Sequence, residues 1–344
     1  MRLFPLNRRR LGAWACVLAL GAGVGLPAHA ALTGAERAEV RALPEKGRLA
    51  SARSRHLAVG GLDRTYLVQP VPPERETGGP HPVVVLLHGG TQTPADAWRD
   101  TSLPTLAERE GFVLVAPQGE GGHWNDGRGS TIAGDAASTA DDIGFLKAVI
   151  AEVVARDHGD ASAVFMVGAS NGGFMTMRFA CDAGETLRAA ASVIAAVPET
   201  IARSCRSPRP LPWLAINGTD DPLIPFGGQT EGTMRRGQPQ PALRSADDTF
   251  RFWADRAGCA APIQRTPLTT AAQDDRGRWA ESLDRRGCAG GQVSRQVVMH
   301  GSGHVFPGMA VGLPVVERIV GPGAPEIDGG TLVWEFFKAT LMKG

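Results

Sequence analysis

Three short runs in this chain carry no polar residue, and they constrain the fold more than any other feature. Pro82 to Leu87 reads PVVVLL, Phe112 to Ala116 reads FVLVA and Ala163 to Val167 reads AVFMV. A strand with one wet face alternates apolar and polar positions, so an uninterrupted apolar run marks a strand covered on both faces. Residues 189–196 and 211–216 read as two more strands, and Val293 to Met299 as another. Between them the period changes. Ile143, Leu146, Ile150 and Val153–Val154 give 140–156 a helical stripe, and 171–181, Thr249 to Ala257 and Thr331 to Met342 read as further helices. Strands alternating with helices predict an α/β fold with a mostly parallel sheet and helices on both faces. An antiparallel N-terminal hairpin is expected from 55–60 and 64–69 around Gly61-Leu62-Asp63. Two Gly/Pro/Arg-rich stretches, 226–245 and 260–292, read as surface insertions on one domain spanning 31–344.

Residues 1–30 stand apart from that domain. Arg2, Arg8, Arg9 and Arg10 precede an uncharged stretch from Leu11 to Leu26, and Ala28-His29-Ala30 supplies the small residues that signal peptidase requires. The reading is a signal peptide cleaved before Ala31, and hence a secreted or periplasmic protein. No later segment approaches the ~20 apolar residues of a membrane span, so no membrane association is expected after cleavage. The chain carries 36 Lys+Arg against 35 Asp+Glu, and loss of four arginines leaves a slightly acidic remainder. A balance of that kind offers no electrostatic footprint for nucleic acid.

Cysteine use agrees with an oxidising compartment. Of five cysteines four remain, Cys181, Cys205, Cys259 and Cys288. Three pairings are open to them; Cys181–Cys205 and Cys259–Cys288 are favoured because each joins near neighbours around a single loop region. No C-x-x-C spacing exists, so no metal site is expected.

The chemistry centres on Gly168-Ala169-Ser170-Asn171-Gly172, a G-x-S-x-G pattern. In a glycine-rich chain the pattern alone is weak. Here the AVFMV strand runs into it and a helical segment leaves it, the strand–turn–helix context of a nucleophile elbow. Such a turn lifts a serine hydroxyl above the sheet at a helix N-terminus, where N–H groups can stabilise an oxyanion. Ser170 is therefore the expected nucleophile. The order Ser…Asp…His limits its partners. Asp221 follows the 211–216 strand in Asn217-Gly218-Thr219-Asp220-Asp221-Pro222 and is preferred over Asp220 because the proline fixes it. His304, presented by the flexible-looking Gly301-Ser302-Gly303 loop, is preferred over His300, which ends a strand. The two histidines lie four apart, but the intervening glycines and the absent glutamate exclude a zincin helix. One oxyanion donor is expected at the Asn171 amide. The other is expected at Gly90 or Thr91, in Leu87-His88-Gly89-Gly90-Thr91, where His88 is read as structural. Trp98, Trp124, Phe226 and Phe306 are candidates for the substrate pocket, with simple loop anchoring as the alternative.

The segments LHGGTQTPADAW (87–98), DDIGFL (141–146), GASNGGFM (168–175), NGTDDPLIPFGG (217–228) and GSGHVFPG (301–308) resemble, in order and spacing, secreted polyhydroxybutyrate-depolymerase-like esterases. Feruloyl and acetylxylan esterases belong to the same broad group. The resemblance spans about 83 to 340. It implies an α/β-hydrolase fold and cofactor-free hydrolysis of a carboxylic ester, with Ser170 matching the nucleophile, Asp221 the acid and His304 the base. At Gly90, Phe226 and Phe306 the chain departs from the cysteine, tyrosine and tryptophan frequent in that group. The expected partner is an ester substrate, a polyester oligomer or an aryl or acetyl ester. Two rivals are a peptidase of the same fold and a non-catalytic extracytoplasmic binding protein.

Overall fold

The computed structural model describes residues 52–129, 138–206, 209–235, 238–270, 274–309, 311 and 314–342. The signal peptide expected at 1–30 lies outside them. The chain enters through an antiparallel hairpin, β1 (Arg53–Val59) and β2 (Leu62–Gln69), whose turn is Gly60-Gly61 rather than Gly61-Leu62-Asp63. Both glycines have positive φ, +59° and +79°, the requirement of a two-residue turn whose twist matches its strands.

From there the alternation begins. Strand β3 (His81–Leu87) is followed by helices α1 (Pro94–Asp100) and α2 (Leu103–Glu110) and strand β4 (Val113–Pro117). Helix α3 (Asp142–Arg156), β5 (Gly159–Ala169) and α4 (Asn171–Ala183) come next, then β6 (Ala189–Val193), α5 (Glu199–Ser204) and β7 (Trp213–Gly218). The 226–245 stretch holds a small separate hairpin, β8 (Thr233–Arg235) with β9 (Gln238–Gln240), ahead of α6 (Ala246–Arg256). Strands β10 (Gln264–Pro267), β11 (Trp279–Arg285) and β12 (Ser294–His300) precede α7 (Pro314–Val320) and α8 (Gly329–Leu341). No helix of the described residues is long and apolar enough to cross a membrane.

Ten strands form one sheet in the order β1-β2-β4-β3-β5-β6-β7-β12-β11-β10. The six central strands, β4 to β12, are parallel, and an antiparallel pair closes each edge. The 260–292 stretch therefore does more than run over the surface: β10 and β11 extend the sheet. Strand β3 shows why the central runs lack polar positions. Val83, Val85 and Leu87 face one core with Phe145 of α3, Phe174 of α4 and Trp253 of α6. Val84 and Leu86 face the other, with Trp98 of α1, Leu106 of α2 and Phe337 of α8. Both cysteine pairs are bonded, Cys181–Cys205 and Cys259–Cys288.

Candidate active site

The carboxyl ends of β3, β5, β7 and β12 open at one edge of the parallel block, the place where open α/β sheets receive ligands. At the end of β5 the backbone of Ser170 adopts φ 52°, ψ −118°, a strained conformation for a residue with a side chain. Two hydrogen bonds hold it there. The Ser170 amide donates to the Val193 carbonyl at 2.9 Å, and its own carbonyl accepts from the Phe174 amide at 3.0 Å. The flanking glycines follow from the crowding. A Cβ at Gly168 would lie 2.1 Å from the Gly172 carbonyl oxygen, and one at Gly172 would lie 2.4 Å from the Leu87 oxygen. Any larger residue at either position would push strand, turn and helix apart.

Asp221 follows β7 and His304 follows β12. The Nδ1–H of His304 donates to Asp221 Oδ2 at 2.7 Å, and Asp221 Oδ1 accepts from the amides of Leu223 and Ile224 at 2.8 Å each. The carboxylate is thus fixed by three donors, whereas its neighbour Asp220 is exposed and bonds the Thr219 hydroxyl. The His304 loop is held rather than flexible. Its amide donates to the Val320 carbonyl, and the Gly303 amide to Pro322 at 2.7 Å. His300 is occupied elsewhere, stacked on Trp279 at 3.9 Å and paired with Glu281 at 3.1 Å. Ser170 and His304 line one largely apolar cavity together with Gly89, Gly90 and Asn171.

The expected oxyanion donors separate. Thr91 lines the cavity, but its amide donates to the Gly122 carbonyl at 2.8 Å, so Thr91 is not available as a donor. Gly90 lies against the elbow, since a Cβ there would stand 3.6 Å from that of Asn171. The Asn171 amide opens α4, where no intrahelical carbonyl meets it. Gly90 and Asn171 remain.

These loops are braced from behind. Asn171 Oδ1 accepts from the Trp124 amide at 2.8 Å, and its Nδ2 donates to the buried Asp126, itself ion-paired with Arg128 at 2.6 Å. Trp124 Nε1 donates to the His88 carbonyl at 2.9 Å. The His88 Nδ1–H donates to Gly89 O at 2.7 Å, and Nε2 accepts from the Gly119 amide at 2.9 Å. Burial pushes the His88 pKa down to about 4, so the ring is neutral at pH 7 and can accept at Nε2.

Of the four aromatic candidates, Phe306 lines the cavity. The other three are corrected to structural positions. Trp98 is fully buried in the core beneath α1, Trp124 anchors the 118–128 loop, and Phe226 packs against the Phe250–Leu283 cluster. Sequence reasoning missed five polar residues of the wall, Gln92, Asp100, Thr101, His123 and Arg128. Gln92 lies within the 87–98 segment but carries no recognised role there, and the others lie outside the quoted segments. Among the described residues no three His, Cys, Asp or Glu side chains converge as a metal-binding group.

A family model described as "Alpha/beta hydrolase family" matches residues 84–313. Among sequence relatives, "Putative esterase NocK" of Nocardia uniformis subsp. tsuyamanensis is 28% identical over 268 residues, covering 75% of each chain. Feruloyl esterase B of Piromyces equi is 27% identical over 220 residues, covering 61% of this chain and 37% of that protein. An acetyl xylan esterase structure from Aspergillus awamori superposes with a TM-score of 0.51 at 16% identity, covering 83% of this chain and 99% of that one. At that identity the likeness speaks for the fold alone. The chain belongs to the alpha/beta hydrolase family.

Proposed function

We propose that this protein is a secreted serine carboxylic-ester hydrolase in which Ser170, His304 and Asp221 act as nucleophile, base and orienting acid. The observation that carries this reading is the His304–Asp221 pair, 2.7 Å apart, opening on the same cavity as a strained serine at a helix N-terminus. Because Asp221 holds the Nδ1 proton, the other ring nitrogen is left as the base. His304 takes the Ser170 proton as Oγ attacks the ester carbonyl, and the developing oxyanion is met by the Gly90 and Asn171 amides. The imidazolium, stabilised by Asp221, protonates the departing alcohol, and water repeats the sequence to release the acid. Export is supported by the leader at 1–30 and by the two disulfides.

The five ordered motifs favour a polyhydroxybutyrate-type polyester or its oligomers as substrate. The Piromyces equi feruloyl esterase B and a bifunctional acetylxylan esterase/xylanase of Neocallimastix patriciarum, 27% identical over 180 residues, favour feruloyl or acetylated plant cell-wall esters equally. Rates on hydroxybutyrate oligomers, methyl ferulate and acetylated xylan, measured side by side, decide between them. The mechanism itself is tested by Ser170→Ala. This change should abolish p-nitrophenyl ester turnover and fluorophosphonate labelling while leaving the circular dichroism spectrum unchanged. Retained turnover in that variant would remove Ser170 as nucleophile.

A further inference from the structure

The proposed mechanism leaves Asp100, one of the ionisable groups of the cavity wall, without a role. Asp100 is the last residue of α1, the helix end at which backbone carbonyls disfavour an anion. Among the described residues Asp100 forms no ion pair: its neighbour Arg99 turns back to Asp96, although the Arg99 charge still favours the carboxylate. Among the described residues its one side-chain partner is Gln92, whose orientation is already set, because Gln92 Oε1 accepts from the Gly89 amide at 2.7 Å. The Gln92 amino group therefore donates, at 3.0 Å, to Asp100 Oδ2. Among the described residues no side chain meets the other oxygen, Oδ1. The cavity that Asp100 lines is mostly apolar, with Leu86, Ala97, Ile194, Phe306, Met309 and Val320 in its wall beside the polar Gln92 and Thr101.

We propose that Asp100 is a specificity-determining residue that hydrogen-bonds a hydroxyl group on the acyl part of the ester, an inference that rests on the esterase reading above. In this proposal the walled cavity beside Ser170 takes the acyl group. Burial, reinforced by Asp96, pushes the Asp100 carboxyl up to about 7, so acid and carboxylate forms coexist near neutrality. The charged groups around it are otherwise engaged: Arg99 with Asp96, Arg128 with Asp126, and His304 with Asp221. His123 also lines the cavity, beside Gly90. A carbonyl on the substrate would match only the acid form of Asp100, and an ammonium only the carboxylate. A hydroxyl both donates and accepts, so it fits either state.

Two acyl classes carry such a hydroxyl, aliphatic hydroxyacids and hydroxyaryl acids, and paired substrates distinguish them. The experiment measures kcat/KM for p-nitrophenyl 3-hydroxybutyrate against butyrate, and for methyl 4-hydroxycinnamate against methyl cinnamate, in the parent protein, Asp100→Asn and Asp100→Leu. In one pair the parent should favour the hydroxylated ester by about tenfold or more. Asp100→Leu should bring that ratio near one. Asp100→Asn, close in shape and still able to bond both Gln92 and a hydroxyl, should fall between and serves should the leucine variant fail to fold. A parent ratio near one in both pairs overturns the inference, as does a ratio that survives in Asp100→Leu or is unchanged in Asp100→Asn. Failure of the parent to turn over any of the four esters would instead remove the esterase reading beneath it.

Discussion

His88 illustrates how a residue outside the reacting set can still govern the site. Its ring bridges the Gly89 carbonyl and the Gly119 amide, and so joins the two loops that shape the cavity mouth. The bridge exists only while Nε2 is unprotonated. Burial holds the folded pKa at about 4, below the ~6.5 of a free imidazole, so on acidification the unfolded chain takes up the proton first. Stability from this residue is present above ~6.5 and is lost as pH falls through about 4, in total by about 3 kcal/mol. Urea midpoints followed from pH 7 to pH 4 should drop more steeply for the parent than for His88→Gln, whose amide oxygen can accept from Gly119 at any of those pH values. Parallel slopes would show that the neutral ring is not what joins the loops. Such residues separate by how far the sequence exposes them. Ser170, Asp221 and His304 stand in short motifs whose order along the chain limits the choice. The Asn171–Asp126–Arg128 chain arises from segments 45 positions apart meeting in space, and the local Gln92–Asp100 pair, eight positions apart, follows no motif spacing. The expectation of Thr91 as a donor fails on the same kind of long-range contact, since its amide is taken by Gly122, thirty-one positions away in the chain.

At the scale of elements, the all-apolar strands and long periodic helices were legible, and the charged edge was not. Strand β11 reads WAESLDR, which no hydropathy rule marks as a strand, yet its middle is buried. Its carboxylates are neutralised across the sheet, Asp284 by Arg295 at 2.6 Å and Glu281 by Arg265 at 2.8 Å. The pairing that makes burial tolerable is non-local, so a local reading sees only polarity. Helix α1 had left a clue, for Thr93-Pro94-Ala95-Asp96 forms a capping box with proline at the first turn. Helix α5 has no such support. Six residues cannot hold a helix alone, and the Cys181–Cys205 bond ties its C-terminal end to α4. Closing a loop with a sequence separation of 24 stabilises by ~3–4 kcal/mol on the chain-entropy model. Cys181→Ser with Cys205→Ser should therefore lower the urea midpoint by a corresponding amount. Midpoints that coincide would mean that packing of Ile201, buried in the same core, already fixes α5.

Across the whole molecule, the parallel block divides the interior into two cores, and each needs its own helical cover. One side is closed by α3, α4 and α6, where Trp213 and Trp253 stack at 3.8 Å. The other is closed in part by α8, so that side is complete only when α8 docks. Phe337 stacks on Phe165 of β5 at 4.7 Å, and Trp334 meets Phe112 at 4.2 Å. Strand β5 also delivers Ser170, so the same strand that carries the elbow is clamped from behind by the terminal helix. Phe337 is fully buried, and truncating a phenylalanine in such a place removes its transfer free energy and leaves a cavity. Phe337→Ala should cost ~3–5 kcal/mol, read as a lower urea midpoint with the slope unchanged. A reduced slope would mean that the α8 side unfolds apart from the rest, and that the two cores do not form one cooperative unit.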